Sequence, residues 1–204
     1  MCVAKLRQGR GDNVDINDNH TDETNQPLKG GLTEYDFKKN HIQIKIDASE
    51  IPEAFYAILG DELTTAEQFE DGKIGYAIFI EKGQEIVGAT GYDMYDEYET
   101  KVGAFEATNT AQKAGITNAK SGAFTKRLYE ISKNSALTQE QKNQAIQKEF
   151  SAQTNGYEEL PQKVFSAQEV EVGNNKTSDI STQKKAGNIK KAIFKSNGKT
   201  QIVE

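Results

Sequence analysis

The chain has 204 residues, 35% of them apolar and 27% charged, with a formal charge of −6. That is enough for one domain with appendages, but too few core formers for every segment to be buried. The single cysteine, Cys2, excludes an intrachain disulfide, and MCVAKLRQGRGDN has no apolar stretch of signal-peptide length. No apolar run nears the roughly 18 residues of a membrane span, so the expected setting is the reducing cytoplasm, with no membrane partner.

In chain order, residues 1–33 are polar, rich in Asn and Asp, and end in Pro27 and Gly30-Gly31, which predicts a mobile arm. A globular α+β domain is expected over 34–172. In HIQIKID, Ile42, Ile44 and Ile46 alternate with polar residues, the period of a strand with one buried face. Ser49 and Pro52 suit the start of a helix over IPEAFYAIL, which Gly60 is placed to end; Thr64 opens a second short helical turn. GYAIFIE and EIVGATGYDMY form a hairpin about Lys82-Gly83-Gln84, and a third strand near Thr100–Ala107 completes a meander. A helix follows from Asn118 to Lys133, then another from Thr138, whose spacing to Gln141 is that of a capping box. These two form an αα-hairpin. KVFSAQEVEV reads as a strand, 173–188 as a polar linker, and 189–204 as a basic hairpin or tail turning at Ser196-Asn197-Gly198. The predicted fold is an antiparallel meander or sheet packed against an αα-hairpin, with a flexible N-terminal arm and a C-terminal β-hairpin.

Charge is distributed unevenly. Residues 47–99 hold fourteen acids and two lysines, a net of −12, while residues 176–204 hold seven lysines and two acids, a net of +5. Such asymmetry selects partners and speeds encounter. The densest part of the acidic segment is Tyr92, Asp93, Tyr95, Asp96, Glu97, Tyr98 and Glu99. Tyrosines give large contact area at modest entropy cost, and carboxylates steer a cationic surface. The leading expectation is therefore a non-enzymatic binding protein with a basic partner, either a protein surface or a nucleic-acid-binding site. Twenty-two lysines against three arginines hint at an AT-rich genome and an accessory protein of a phage or mobile element.

Enzymatic and metal motifs are incomplete. Asp15, Asn17 and Asn19 have calcium-loop spacing, but His20 and Gln26 stand where that loop needs Gly and Glu. His20, His41 and Cys2 make no zinc set, and no cofactor is expected. Asp93 or Asp96 with Glu99 and Lys101 loosely matches an acid-then-ExK nuclease layout, and Glu169-Val-Glu171 the ExE of ADP-ribosyltransferases. The arginines that the latter enzymes want on an early strand are missing.

Two resemblances give the alternatives. The order strand, short helices, meander, helix resembles the GNAT acyltransferases. Gln112-Lys-Ala-Gly115-Ile-Thr117 matches the first half of their CoA-pyrophosphate turn, with Thr117 in place of the second small glycine. The resemblance implies CoA at a helix N-terminus. The same order, with Ala119 to Arg127, resembles the single-strand annealing proteins of recombination. It implies a phosphate-tracking face that includes Lys120, Lys126 and Arg127, in a segment (101–134) of net +4.

Overall fold

The computed structural model describes residues 13–16, 30–47, 53–81, 83–153, 189–196 and 199–203. The expected strand KVFSAQEVEV, the linker 173–188, the Ser49 and Pro52 helix start and most of the expected arm lie outside them. Among the described residues the fold is α+β, with antiparallel strand pairing dominant and four helices.

A three-stranded sheet has the order β1-β3-β2, with β1 Asn13–Ile16, β2 Gly31–Asp36 and β3 His41–Ile46. β2 and β3 form an antiparallel hairpin, and β1 lies parallel to β3, so four residues of the polar N-terminal segment are strand. The hairpin turn is held from one side chain: Asp36 Oδ1 accepts from the Lys38 and Lys39 amides, both at 2.9 Å. Asn40 takes the left-handed conformation at φ 60, and its amide oxygen accepts from Tyr35 Oη at 2.7 Å. Ile42, Ile44 and Ile46 are buried, as their alternation predicts.

The second sheet has the order β5-β4-β6-β7, with β4 Gly75–Glu81, β5 Gln84–Thr90, β6 Ile189–Ser196 and β7 Lys199–Val203. The expected β4–β5 hairpin and C-terminal hairpin are both present, and they share one sheet because β6 pairs with β4. β4 is central, with Tyr76 buried on one face and Ala77 on the other. That explains its nearly unbroken apolar run.

The helices correct the sequence reading in three places. α1 runs unbroken from Phe55 to Glu70, so Gly60 does not end it and Thr64 does not open a new one. Thr64 and Thr65 remain helical by donating to the carbonyls of Gly60 and Asp61, four residues back. α2 occupies Met94–Lys113, so the third meander strand expected at Thr100–Ala107 is helix. Beyond Met94, Asp96 and Tyr98 its buried residues are Thr100, Ala104, Thr108 and Ala111, too small or polar to register as an apolar period. α3 starts at Ala123, with Gly122 as N-cap in place of Asn118. α4, Gln139–Ser151, has the expected capping box: Gln141 N donates to Thr138 Oγ1 (3.2 Å) and Thr138 N to Gln141 Oε1 (2.8 Å).

Two apolar centres position the rest. Tyr35, the three isoleucines of β3, Phe69, Ile74, Tyr76 and Ile193 join both sheets to α1. Met94, Tyr98, Leu128, Ile146 and Phe150 join α2 to the α3–α4 hairpin, whose Phe124 and Phe150 rings meet edge to face at 5.2 Å. The most extensive helix contact is that of α1 with α2, an antiparallel pair linked through the β4–β5 hairpin.

Candidate functional site

The acidic, tyrosine-rich stretch lies on the loop into α2 and on its first two turns, against the C-terminal half of α1. Asp93 is the N-cap. Its Oδ1 accepts from the amides of Tyr95 (2.9 Å) and Asp96 (3.2 Å), while the Asp93 amide donates to Asp96 Oδ2 at 3.1 Å. This is a capping box built from two aspartates, and it puts both carboxylates beside the positive end of the helix dipole. Both are buried.

The other acids face lysines. Lys101 lies between Asp61 (3.0 Å) and Glu97 (2.8 Å), with all three side chains less than a quarter exposed. Tyr92 packs against the apolar centre between the sheets, and its hydroxyl donates to Glu97 Oε2. Burial, then the Glu97 charge, raises the Tyr92 phenol far above its ordinary range. Burial also raises Asp61, with Lys101 opposing. Glu99 accepts from Lys73 Nζ at 2.6 Å and from Gln68 Nε2 at 3.1 Å. Burial disfavours the charged Lys73, but the bond to Glu99 together with the charges of Glu99, Asp96 and Asp71 outweighs that and raises it. Tyr98 is a core residue, and its ring lies 5.2 Å from that of half-buried Tyr95.

The structure thus brings all seven predicted residues together, but as parts of a helix start rather than as one solvent-facing patch. Sequence reasoning missed Asp61, Glu62, Gln68 and Lys73 around them, and it grouped Lys101 with them only through the nuclease layout. The aspartate pair three residues apart just before a helix could have revealed the capping box. Nothing local in the sequence marks the α1 side.

The long acidic segment and the basic C-terminal segment also meet. Lys195 pairs with Glu70, and Lys190 with Glu85 at 2.6 Å. Part of the charge asymmetry along the chain is therefore complementarity within it.

The alternative residues have carboxylate neighbours too. Lys120 sits 2.6 Å from Glu53, Arg127 Nε 2.7 Å from Glu149, and Lys126 3.9 Å from Glu130. A phosphate backbone there would compete with three carboxylates. The turn expected to hold CoA follows the C-terminus of α2: Lys113 is its last residue and Gly115 adopts φ +97. Backbone carbonyls, not amides, converge at that end, so the arrangement departs from the pyrophosphate cradle. Glu99 and Lys101 take separate partners on one helix and do not converge as a nuclease site requires. Glu169, Glu171, Cys2 and His20 lie outside the described residues, and His41 Nε2 is buried without a hydrogen-bond partner. Among the described residues no group of three His, Cys, Asp or Glu is placed to hold a metal ion, and no helix is long and apolar enough to cross a membrane. No family model, curated protein or solved structure matches the chain.

Proposed function

We propose that this chain is a non-enzymatic binding protein that engages a basic partner across the acidic end of the α1–α2 pair. The observation that supports this is the imbalance of charge there. Asp61, Glu67, Glu70, Asp71, Asp93, Asp96, Glu97 and Glu99 lie on the described part of this end together with Lys73, Lys101 and Lys195. Lys73 pairs with Glu99, Lys101 with Asp61 and Glu97, and Lys195 with Glu70, so among the described residues the acids at this end outnumber the lysines. An acidic excess accelerates and orients the approach of a cationic surface. Contact would fall on the outer groups, exposed Asp71 and partly exposed Glu67, Tyr95 and Glu99; Asp93, Asp96 and Tyr98 hold the helix that presents them.

Titration of the full chain with a lysine-rich peptide tests the reading. Binding is expected at low salt, and it weakens several-fold in the Glu67→Gln/Asp71→Asn double variant, which leaves the capping box intact. Equal affinity for both proteins would exclude this face. Charge reversal at Asp93 or Asp96 is a poor test, since it removes the cap of α2.

A further inference from the structure

The second sheet ends on β7. This strand pairs with β6 in an unbroken register, from Ser196↔Lys199 to Ala192↔Val203, and among the described residues it has no strand on its other side. Lys199, Thr200, Gln201 and Ile202 are all exposed. At 50%, Ile202 is the most exposed large apolar side chain among the described residues. It lies opposite Ile193, which lies opposite Tyr76, so it extends outward the row that those two buried residues make across the sheet. The usual guards of an edge are sparse: β7 has no proline or bulge, and its lysine stands at the first position.

The register fixes which backbone groups this edge presents. Two residues connect Ser196 to Lys199, so that pair exchanges both backbone hydrogen bonds, and bonded pairs alternate with non-bonded ones along an antiparallel ladder. Phe194↔Gln201 is therefore bonded, while Thr200 and Ile202 turn their N–H and C=O groups away from β6. These donors and acceptors are arranged symmetrically about Gln201. We propose that β7 is a dimerisation strand: two copies of this chain pair their β7 edges antiparallel about a two-fold axis at Gln201, joining their sheets into one of eight strands. Thr200 then exchanges both bonds with the partner's Ile202, and Ile202 with the partner's Thr200, which satisfies every outward group of these residues. A two-fold interface needs a self-complementary surface, and this register supplies one. Directly opposite residues share a face, so Ile202 and the partner's Ile202 become diagonal neighbours that cover each other. Lys199 and the partner's Lys199 stand four residues apart along the ladder, about 13 Å at the rise of a strand. That exceeds the screening length of roughly 8 Å in physiological salt. Lys195, which faces Thr200, is already paired with Glu70. Pairing β7 with the sheet's other edge, β5, would be head to tail and would leave an open series.

Sedimentation equilibrium of the full chain over a wide concentration range tests this, with amide hydrogen exchange as a second readout. The mass is expected to rise from one chain to two with concentration. Thr200→Pro removes an outward donor without breaking a bond to β6, and Ile202→Lys sets like charges side by side across the axis. Both variants should remain monomeric where the wild type is dimeric. In the wild type the Thr200 and Ile202 amides should be protected at high concentration and exchange freely on dilution, while the Gln201 amide, bonded to β6, stays protected throughout. A monomer at every concentration, an open series of larger species, or a dimer that persists in both variants would each overturn the proposal. If neither variant folds, the concentration dependence of exchange at Thr200 and Ile202 decides alone.

Discussion

Gly60 of α1 and Gly103 of α2 face each other where the two helices cross. A Cβ added at Gly60 would lie 2.7 Å from the Gly103 carbonyl oxygen and 2.6 Å from Ala107 Cβ. One added at Gly103 would collide with Thr64 Oγ1. The glycines thus set the helix separation that lets Lys101 reach Asp61 and Gln68 reach Asp96.

In an isolated helix, glycine to alanine gains about 1 kcal/mol. Here Gly60→Ala should instead lose about 1–3 kcal/mol, because the obstacle is backbone and a packed methyl that cannot step aside. Gly103→Ala should also destabilise, with part of the loss recovered in Gly103→Ala/Thr64→Ala. Urea unfolding of the three variants checks this, and a stabilised Gly60→Ala would show the crossing to be looser.

Removing the cap of α2 is expected to cost about 1–2 kcal/mol in Asp93→Ala, with most of it restored by Asp93→Ser, since the hydroxyl can accept the same amide bonds. Thermal melts of the two variants distinguish a capping role from a generic effect of lost charge, which would leave both equally destabilised.

Lys101→Met leaves Asp61 and Glu97 facing each other without their shared cation. The expected loss is about 3 kcal/mol at neutral pH, as for breaking a buried pair. The sign of the pH dependence follows. Burial already raises Asp61 against the opposing Lys101 charge, so without the lysine Asp61 titrates higher still in the folded state, and the variant regains stability as pH falls and loses it as pH rises. Denaturant melts at several pH values should show the gap to wild type narrowing toward acid. A constant gap would point to lost packing rather than lost charge.

These contacts show which parts of the molecule could be read from the sequence. The isoleucine alternation in β3, the GYAIFIE run, the Thr138–Gln141 cap and the C-terminal hairpin were legible because each is a local pattern with one physical cause. β2 was not, since one of its two inward residues is Thr33, which is buried because Glu62 receives it. The α2 helix was hidden for a related reason: from Thr100 onward its inward residues are threonine, glycine and alanine, and they suit a close helix crossing that no local pattern reveals. For the candidate site, the seven residues from Tyr92 to Glu99 are adjacent in the chain and share the start of α2. Their burial and pairing were not legible, because the partners Asp61, Gln68 and Lys73 come from distant positions and Lys101 from the next turn of the same helix.

The central claim, that the acidic end of the α1–α2 pair receives a basic partner, is tested most directly by amide chemical-shift mapping of the full chain with a lysine-rich peptide at low and high salt. The account predicts shifts concentrated at residues 67–73 and 93–99 that fade as salt is added. Shifts centred elsewhere, for example on the first turn of α4 around Glu140, or shifts unchanged by salt, would contradict it.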